Sequence, residues 1–368
     1  MTNHDNTLTG FSRVTAHLTL FLCLLISGNI AGCGDSSSGS SKATPAGNGV
    51  RLSKDPDGGV NGATFSGPHV VDNDVKVIAD YSDLKSITFM ECPAVTDAAM
   101  KSLNSQTGLT SLIINNAKIG DAGLLSLSAE SMASLKQLML TNLPATDKGM
   151  SCLAVMPGCD DVELFGLKIS DDGLQPFSNL PALRRLCLQN CGNITGTGLS
   201  SLSTLSELRE LDLRGTVLSE DGMLELGHLV QLELLLLDAV NTTDKGLAQV
   251  AGITALKTFG FTDAPVTDDG LAHLASLQRL EELNISECKQ ITNDGLLHLA
   301  KLKSLKRLSL MECPMLTGDG MVHFEAMTGL EMLSVTDSPV SEKAVRKLKE
   351  SIPQCTIFFG ITPATRSL

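Results

Sequence analysis

The segment Leu183-Arg-Arg-Leu186-Cys-Leu188-Gln-Asn-Cys191-Gly-Asn-Ile194-Thr-Gly-Thr-Gly198-Leu199-Ser-Ser-Leu202 contains two hydrophobic periods. Its first part, L-x-x-L-x-L, alternates apolar and polar residues at period two, which predicts a short strand with one buried face. Its second part spaces leucines three residues apart after a polar turn, which predicts a helix with one apolar stripe. The segment therefore predicts a strand, a turn and a helix in close succession.

The same unit recurs along most of the chain at a spacing of 24 to 26 residues, with first residues Leu84, Leu109, Leu135, Cys159, Leu183, Leu208, Leu232, Leu256, Leu280, Leu305 and Leu330, after a degraded copy near Val60. Several second halves read T-D-x-G, as in Thr146–Gly149 and Thr267–Gly270. Thr is a good helix N-cap, and Asp in the first turn suits the helix dipole. One unit cannot bury its own core, so stacked copies predict a single solenoid of about twelve repeats over residues 60–360, with a parallel concave sheet and convex helices.

This pattern resembles the leucine-rich-repeat consensus over about four fifths of the chain. The closest resemblance is to the cysteine-containing subtype, known from the repeat half of F-box/leucine-rich-repeat proteins and from bacterial repeat proteins; its buried turn position is matched by Cys92, Cys191, Cys288 and Cys313. The resemblance implies a right-handed α/β horseshoe with a binding function. It implies free buried thiols, although Cys288 and Cys313 lie in adjacent repeats and leave a disulfide as an alternative. The residues before the repeats do not resemble an F-box, so ubiquitin-ligase function is not implied.

Residues 1–32 resemble a bacterial lipoprotein signal peptide. The apolar run Leu18–Ile26, too short to span a membrane as a helix, leads to Ile30-Ala-Gly-Cys33, which is similar to a lipobox. The resemblance implies a lipid on the Cys33 sulfur, a flexible Ser/Gly linker over residues 33–59 and a membrane anchor. It implies the cell envelope, and the outer membrane where there are two, because no Asp directly follows the cysteine. An ordinary cleavable signal is the alternative.

The composition argues against several functions. A net charge of −13 and the lack of a basic patch disfavour nucleic-acid binding and favour a basic protein partner. No CxxC pair, nucleotide-binding loop or hydrolase motif occurs, so we expect no metal, no cofactor and no enzyme activity. Cys187 is a lone thiol on the predicted concave face without a nearby histidine. The histidines His273, His298 and His323 share one convex helix position, too far apart for all three to bind a metal.

The third, fifth, seventh and eighth places of each unit are predicted to point outward from the concave sheet. In the eleven clear copies these places hold the acids Glu91, Asp161, Glu163, Glu210, Asp212, Asp238, Asp263, Glu282, Glu287, Glu312 and Asp337, against the bases Arg185, Arg214 and Arg307. The predicted partner-binding residues are Asp212, Asp238, Asp263, Glu287, Glu312 and Asp337, with Phe165 and Leu236 as apolar anchors. The last four acids follow one another at the eighth place, as a surface for a basic partner, a Ca²⁺ site or a solvated loop edge. A register slip that buries Phe165 is the alternative for that residue.

Together these patterns predict a membrane-anchored scaffold that binds a protein through an acidic concave face, with residues 361–368 as a tail. A structural or self-associating envelope protein, or one that binds polysaccharide, is the alternative. An enzyme that uses the repeats as a substrate platform is a further alternative, and the absence of a polar catalytic cluster weighs against it.

Overall fold

The computed structural model describes residues 49–237, residues 242–361 and the backbone of residues 366–367, which all lie in the unit 44–368. The predicted signal peptide, the lipid-attachment residue Cys33 and most of the predicted linker lie outside the described residues, as does Asp238. Within these ranges, none of the helices combines the length and the hydropathy that a bilayer-spanning segment needs.

One sheet holds every strand of the described residues, in the order of the sequence. Pairing is parallel at each junction from β2 to β14 and antiparallel between β1 and β2 and between β14 and β15. The strands are β1 Val50–Lys54, β2 Val60–Ser66, β3 Ser86–Met90, β4 Ser111–Asn115, β5 Gln137–Thr141, β6 Asp161–Phe165, β7 Arg185–Gln189, β8 Glu210–Asp212, β9 Leu234–Leu236, β10 Thr258–Thr262, β11 Glu282–Ser286, β12 Arg307–Met311, β13 Met332–Thr336, β14 Thr356–Gly360 and β15 Arg366–Ser367. The open parallel sheet with helical crossovers confirms the predicted leucine-rich-repeat solenoid.

A short helical segment follows each parallel strand up to β13. The α-helices are Asp72–Val75, Asp97–Met100, Asp121–Leu124, Ala129–Met132, Glu220–Gly227, Asp244–Val250, Asp268–Leu274, Asn293–Leu299 and Glu342–Ser351. The 3₁₀ segments are Lys76–Asp80, Lys101–Ser105, Gly149–Val155, Asp171–Asn179, Thr197–Thr204 and Gly318–Phe324. Several repeats thus use the tighter 3₁₀ turn in place of the predicted α-helix, and Pro176 removes a backbone donor inside one of them.

The interior is a stack of aliphatic layers, and the turn position of several repeats places a buried cysteine at the edge of its layer. The thiol of Cys92 donates to the carbonyl of Phe65 in the preceding repeat, at 3.4 Å. Cys288 and Cys313 are free rather than disulfide-bonded, and burial raises the pKa of Cys288 to about 12 and that of Cys313 to about 11. These thiols therefore stay protonated and pack as small, weakly polar side chains.

The folded unit extends beyond both predicted boundaries. Val50–Lys54 falls within the predicted linker 33–59, yet it forms β1, with Val50 only 8% exposed, against the free edge of β2. An antiparallel strand there covers backbone groups that an open edge would leave unpaired. At the other end Arg366–Ser367 pairs with β14, so the predicted tail 361–368 contains a short strand.

A hydrogen-bonded carboxylate joins the helical sides of neighbouring repeats. Asp268 accepts the backbone N–H of Thr292 at 2.8 Å and its hydroxyl at 2.6 Å, although Thr292 caps the helix of the next repeat. We call this pairing the inter-repeat clamp. It recurs at Asp72–Thr96, Asp121–Thr146, Asp147–Ser170, Asp171–Thr195 and Asp244–Thr267, and with an amide at Asn293–Thr317. The Asp of T-D-x-G therefore accepts hydrogen bonds from the cap residue of the next repeat, and it also lies in the first turn of its own helix, where a negative charge is favourable.

The glycine of T-D-x-G gives the clamp its space. A Cβ on Gly295 would lie 2.3 Å from the Asp268 carboxylate, and one on Gly270 would lie 2.1 Å from that of Asp244. Both distances are far below van der Waals contact, so a side chain at this position would push the clamp apart.

The clamp is missing on both sides of the repeat that contains β8. Gly196 replaces the Asp in the preceding repeat, and the Ser219 amide donates instead to the carbonyl of Thr195 at 2.8 Å. Glu220 replaces it in the β8 repeat, and among the described residues no hydrogen bond joins Glu220 to Thr243. β8 and β9 are also shorter, at three residues each. This repeat is held by the sheet and the core without a clamp.

Replacing Asp268 with Ala is expected to lower the free energy of unfolding by about 2 kcal/mol, because two donors of Thr292 lose their acceptor at a half-buried position. Urea denaturation measures the change. Asp269→Ala is the matched control: it removes the next carboxylate of the same first turn, which takes no part in the clamp, and should change stability by less than about 0.5 kcal/mol. Equal losses in the two variants would contradict the clamp.

Candidate protein-binding face

The outer face of the sheet is formed by alternate residues of each strand. In β7, Leu186 and Leu188 are fully buried, whereas Arg185 and Gln189 are half-buried on the opposite side. In-register pairing places equivalent residues of successive strands side by side, about 4.8 Å apart. From β6 to β10 one row reads Asp161, Arg185, Glu210, Leu234, Thr258, and the next reads Glu163, Cys187, Asp212, Leu236, Gly260. We call these two rows the central face.

Arg185 bridges two acids on the neighbouring strand. Its guanidinium donates to Asp161 at 2.5 Å and also to Glu163. Burial raises the pKa of both carboxyls, and the charge of Arg185 only partly offsets this effect. The guanidinium is thereby committed to two carboxylates, and its removal would leave both half-buried charges without a counter-ion.

A second network uses Arg214, which lies just beyond β8. The guanidinium of Arg214 donates to Asp212 at 2.6 Å, and the amide of Gln189 donates to the same carboxylate at 2.7 Å. Asp212, predicted as a partner-binding residue, is therefore already paired within the chain. Sequence spacing does not reveal this pairing, because Arg214 reaches back along its own strand.

Glu210 differs from the other acids of the central face. Among the described residues, its carboxylate forms no hydrogen bond and no salt bridge, and Arg185, its direct neighbour on β7, is held by two other acids. Burial raises the pKa of Glu210, Arg185 lowers it less strongly, and Asp161 and Glu233 raise it further. The ionised carboxylate at neutral pH thus carries a cost that a cation from outside would relieve.

Cys187 lies between Glu163 and Asp212 and is 5% exposed. Burial raises the pKa of its thiol strongly, and the two neighbouring carboxylates raise it further. The thiol is therefore protonated at neutral pH, which is the opposite of what a cysteine nucleophile needs.

Two leucines of β9 lie next to the acids of β8 on the central face. Leu234 is half-buried beside Glu210, and Leu236 is beside Asp212. Leu236 is only 4% exposed, so it is not the protruding anchor predicted from the sequence. It leans toward Gly260, where a Cβ would lie 3.3 Å from Leu236 Cδ2, and a residue without a side chain leaves room for this packing. Phe165 ends β6 half-buried on the outer face, one residue after the fully buried Leu164.

The four acids predicted as a stripe occupy a turn. Asp263, Glu287, Glu312 and Asp337 all have left-handed backbones, with φ between 46° and 57°. The same place holds Asn116, Asn142, Gly166, Asn190 and Gly215 in earlier repeats, all with positive φ. Gly and Asn favour this conformation, so those residues are the sequence signal for a turn, in agreement with the loop-edge alternative. Asp263 is already paired with Lys289 at 3.1 Å.

No metal site emerges from the parts of the chain that the structure describes. No group of three His, Cys, Asp or Glu side chains in these parts is arranged to hold an ion, including the acids of the turn stripe. His273, His298 and His323 lie on three successive helical segments of the convex side, as their shared sequence position predicts. The arrangement of the turn-stripe acids among the described residues gives no support to the calcium alternative.

Replacing Glu210 with Gln is expected to raise the free energy of unfolding at pH 7 by up to about 1 kcal/mol, because the amide has no charge to desolvate. A carboxyl whose pKa is raised binds its proton more tightly when folded, so its cost is present above the folded pKa and vanishes below the usual pKa of glutamate. The gain should therefore disappear at about pH 3.5. Urea denaturation at both pH values measures it.

Glu281→Gln provides the control of opposite sign. The hydrogen bond from Lys306 lowers the pKa of Glu281, so the ionised form stabilises the fold above that pKa. This variant should lose stability at pH 7 and recover wild-type stability at low pH. Shifts of the same sign in the two variants would contradict the assignment of the two carboxylates.

Comparison with known proteins agrees with the fold. In structure the chain is similar to an internalin (InlF) of Listeria monocytogenes, at 18% identity over 83% of this chain and 87% of that chain, with a TM-score of 0.55. It is also similar to a chain of the yeast Rad7–Elc1 complex, at 20% identity over 78% and 79% with a TM-score of 0.52, and to a leucine-rich-repeat protein of Leptospira interrogans, at 16% identity over 81% and 89% with a TM-score of 0.46. A leucine-rich repeat model matches residues 106–128. A model described as a leucine-rich repeat region matches residues 163–353, more than half of the 368 residues, and the chain therefore belongs to the leucine-rich repeat region family.

Proposed function

We propose that this chain is a lipid-anchored leucine-rich-repeat scaffold that binds a basic protein through the outer face of its sheet and catalyses no reaction. The observation that carries the proposal is Glu210, an acid of the central face without a salt bridge among the described residues. Arg185, which lies beside Glu210 on β7, is committed to Asp161 and Glu163. A basic partner supplies the missing counter-charge, and the long-range field of a chain with net charge −13 favours its approach.

The family and the fold support a binding role. Solenoids of this kind stack repeats into an extended surface suited to large partners. The yeast protein with a similar fold was solved as a complex of Rad7 with Elc1. The thiol of Cys187 is protonated, so it is not an activated nucleophile.

The anchor rests on the sequence before the solenoid. The motif Ile30-Ala-Gly-Cys33 and the Ser/Gly-rich stretch after it support a lipid on Cys33 followed by a flexible tether. On this proposal the protein belongs to a bacterial cell envelope, with the outer membrane favoured where there are two. The buried turn cysteines Cys92, Cys191, Cys288 and Cys313 support assignment of the repeats to the cysteine-containing subtype.

In-cell photo-cross-linking tests the proposal. The full chain carries a photoreactive phenylalanine at Ser309, on the outer face of β12, or at Val322, which is 48% exposed on the helical side of the same repeat. We expect a cross-linked species of higher mass from Ser309 alone, containing a second, basic protein. Cys33→Ala should release the protein from the membrane fraction.

Three outcomes would contradict the proposal. Cross-links from Val322 alone would place binding on the helical side. A species that contains only this chain would favour the self-associating alternative, and the absence of any protein cross-link would favour polysaccharide or a structural role. Retention of Cys33→Ala in the membrane fraction would contradict the anchor.

A further inference from the structure

We infer that the central face recognises a cationic side chain that lies next to an apolar side chain in the partner, with Glu210 receiving the cation and the half-buried Leu234 receiving the apolar group. This inference rests on the proposed function and names the chemistry of the partner. It is carried by the absence of a salt bridge at Glu210 among the described residues, by the strand register and by the partial exposure of Leu234.

Salt bridges within the chain distinguish Glu210 from the other acids of the outer strand face. Five acids of the described residues lie at the third or fifth place of the outer strand face, and four of them have a cation at salt-bridge distance: Asp161 and Glu163 with Arg185, Asp212 with Arg214, and Glu282 with Arg307. Glu210 has none. An incoming cation at any of the four would compete with an arginine already in place, whereas at Glu210 it meets a carboxylate held only by weaker long-range interactions.

The strand register places an apolar surface beside that carboxylate. Glu210 pairs directly with Leu234, and Asp212 pairs with Leu236. Equivalent residues on neighbouring strands lie about 4.8 Å apart. Two adjacent side chains of a partner can therefore contact Glu210 and Leu234 at the same time. A cation over Glu210 thus brings the adjacent side chain of the partner over β9.

The packing around Gly260 decides which residue of β9 is open to a partner. Gly260 continues the row of Leu236 and has no side chain, while Asn284 stands on its far side. A Cβ on Gly260 would lie 3.3 Å from Leu236 Cδ2 and 3.5 Å from Asn284 Cβ. The side chain of Leu236 fills the space above Gly260 and is itself buried, which leaves Leu234 as the half-buried apolar residue of β9 next to the unpaired acid. Apolar anchors that pack on such residues contribute strongly to the energetics of many interfaces.

The acids of the turn stripe do not offer the same combination. Asp263 is paired with Lys289, and the stripe lies at the turn after each strand, in a left-handed conformation that the chain requires there. The site at β8 and β9 is also where the inter-repeat clamp is missing on both sides. The unpaired charge of Glu210 and the half-buried Leu234 beside it therefore favour β8 and β9 as the part of the face that binds the partner.

Selection of peptides from a random dodecapeptide library displayed on phage tests the inference. The target is the full chain in detergent micelles, and the strongest peptide is then resynthesised for affinity measurement by fluorescence anisotropy. We expect the retained peptides to place Lys or Arg next to Leu, Ile, Met or Phe. The affinity should fall at least about tenfold in Glu210→Gln and in Leu234→Ser, since each removes one half of the site.

The controls separate binding from folding. Glu331→Gln removes an exposed carboxylate outside the central face and should leave the affinity unchanged. Glu210→Gln is expected to melt no lower than the wild type, so a loss of affinity in that variant is not caused by unfolding. Retained peptides that lack basic residues, an unchanged affinity in Glu210→Gln, or the retention of no peptide would each overturn the inference.

Two further variants distinguish failure of the inference from failure of the proposed function. Ser309→Arg alters the outer face away from Glu210, and Val322→Arg alters the helical side of the same repeat. Binding that Glu210→Gln leaves unchanged and Ser309→Arg abolishes would overturn the inference and leave the proposed function standing. Binding that only Val322→Arg abolishes would overturn both.

Discussion

The inter-repeat clamp is the interaction on which the regularity of this solenoid depends. A helix has unsatisfied N–H groups at its start, and here most cap residues donate to a carboxylate of the preceding repeat. The Asp268–Thr292 pair shows the geometry, with both carboxylate oxygens engaged. The clamp also explains Gly295, whose missing side chain lets the two helical segments approach. The clamp adds a bidentate contact on the helical side to the hydrophobic layers and the strand pairing, which alone hold the register of the unclamped β8 repeat.

A fixed register has a direct consequence for the opposite side of the sheet. Side chains of equivalent positions are held in rows, so charges of neighbouring repeats cannot move apart to reduce their repulsion. The chain pairs most of these acids with arginines, as in the bridge from Arg185 to Asp161 and Glu163. Glu210 is left with a raised pKa and without such a partner. On the proposed function, a cation supplied by the partner relieves this cost at Glu210.

Local patterns predicted the solenoid, because strand alternation and helix spacing depend on nearest neighbours in sequence. The Thr-Asp-x-Gly segment predicted a capped helix, yet its clamp involves a residue about 24 positions later, which only the stacked structure brings close. The turn stripe from Asp263 to Asp337 was predicted as a surface for a partner, a Ca²⁺ site or a loop edge, and the structure places its residues in a turn with positive φ. Leu236 was predicted to protrude and is buried, because Gly260 lets it lean sideways. The sequence patterns therefore predicted the elements of each repeat but not the side-chain contacts between repeats, because those contacts depend on how the repeats stack.

Glu220→Asp tests the central claim most directly, because it installs the clamp where every other component is present. Thr243 caps the next helix, and Gly246 provides the usual gap, so only the length of the acid differs. We predict that the variant raises the free energy of unfolding in urea by about 1 kcal/mol, the net value of a well-formed hydrogen bond. Glu130→Asp, the same substitution in a first turn without a following cap, should not gain stability. A loss or no change in Glu220→Asp would contradict the clamp as the contact that sets the repeats.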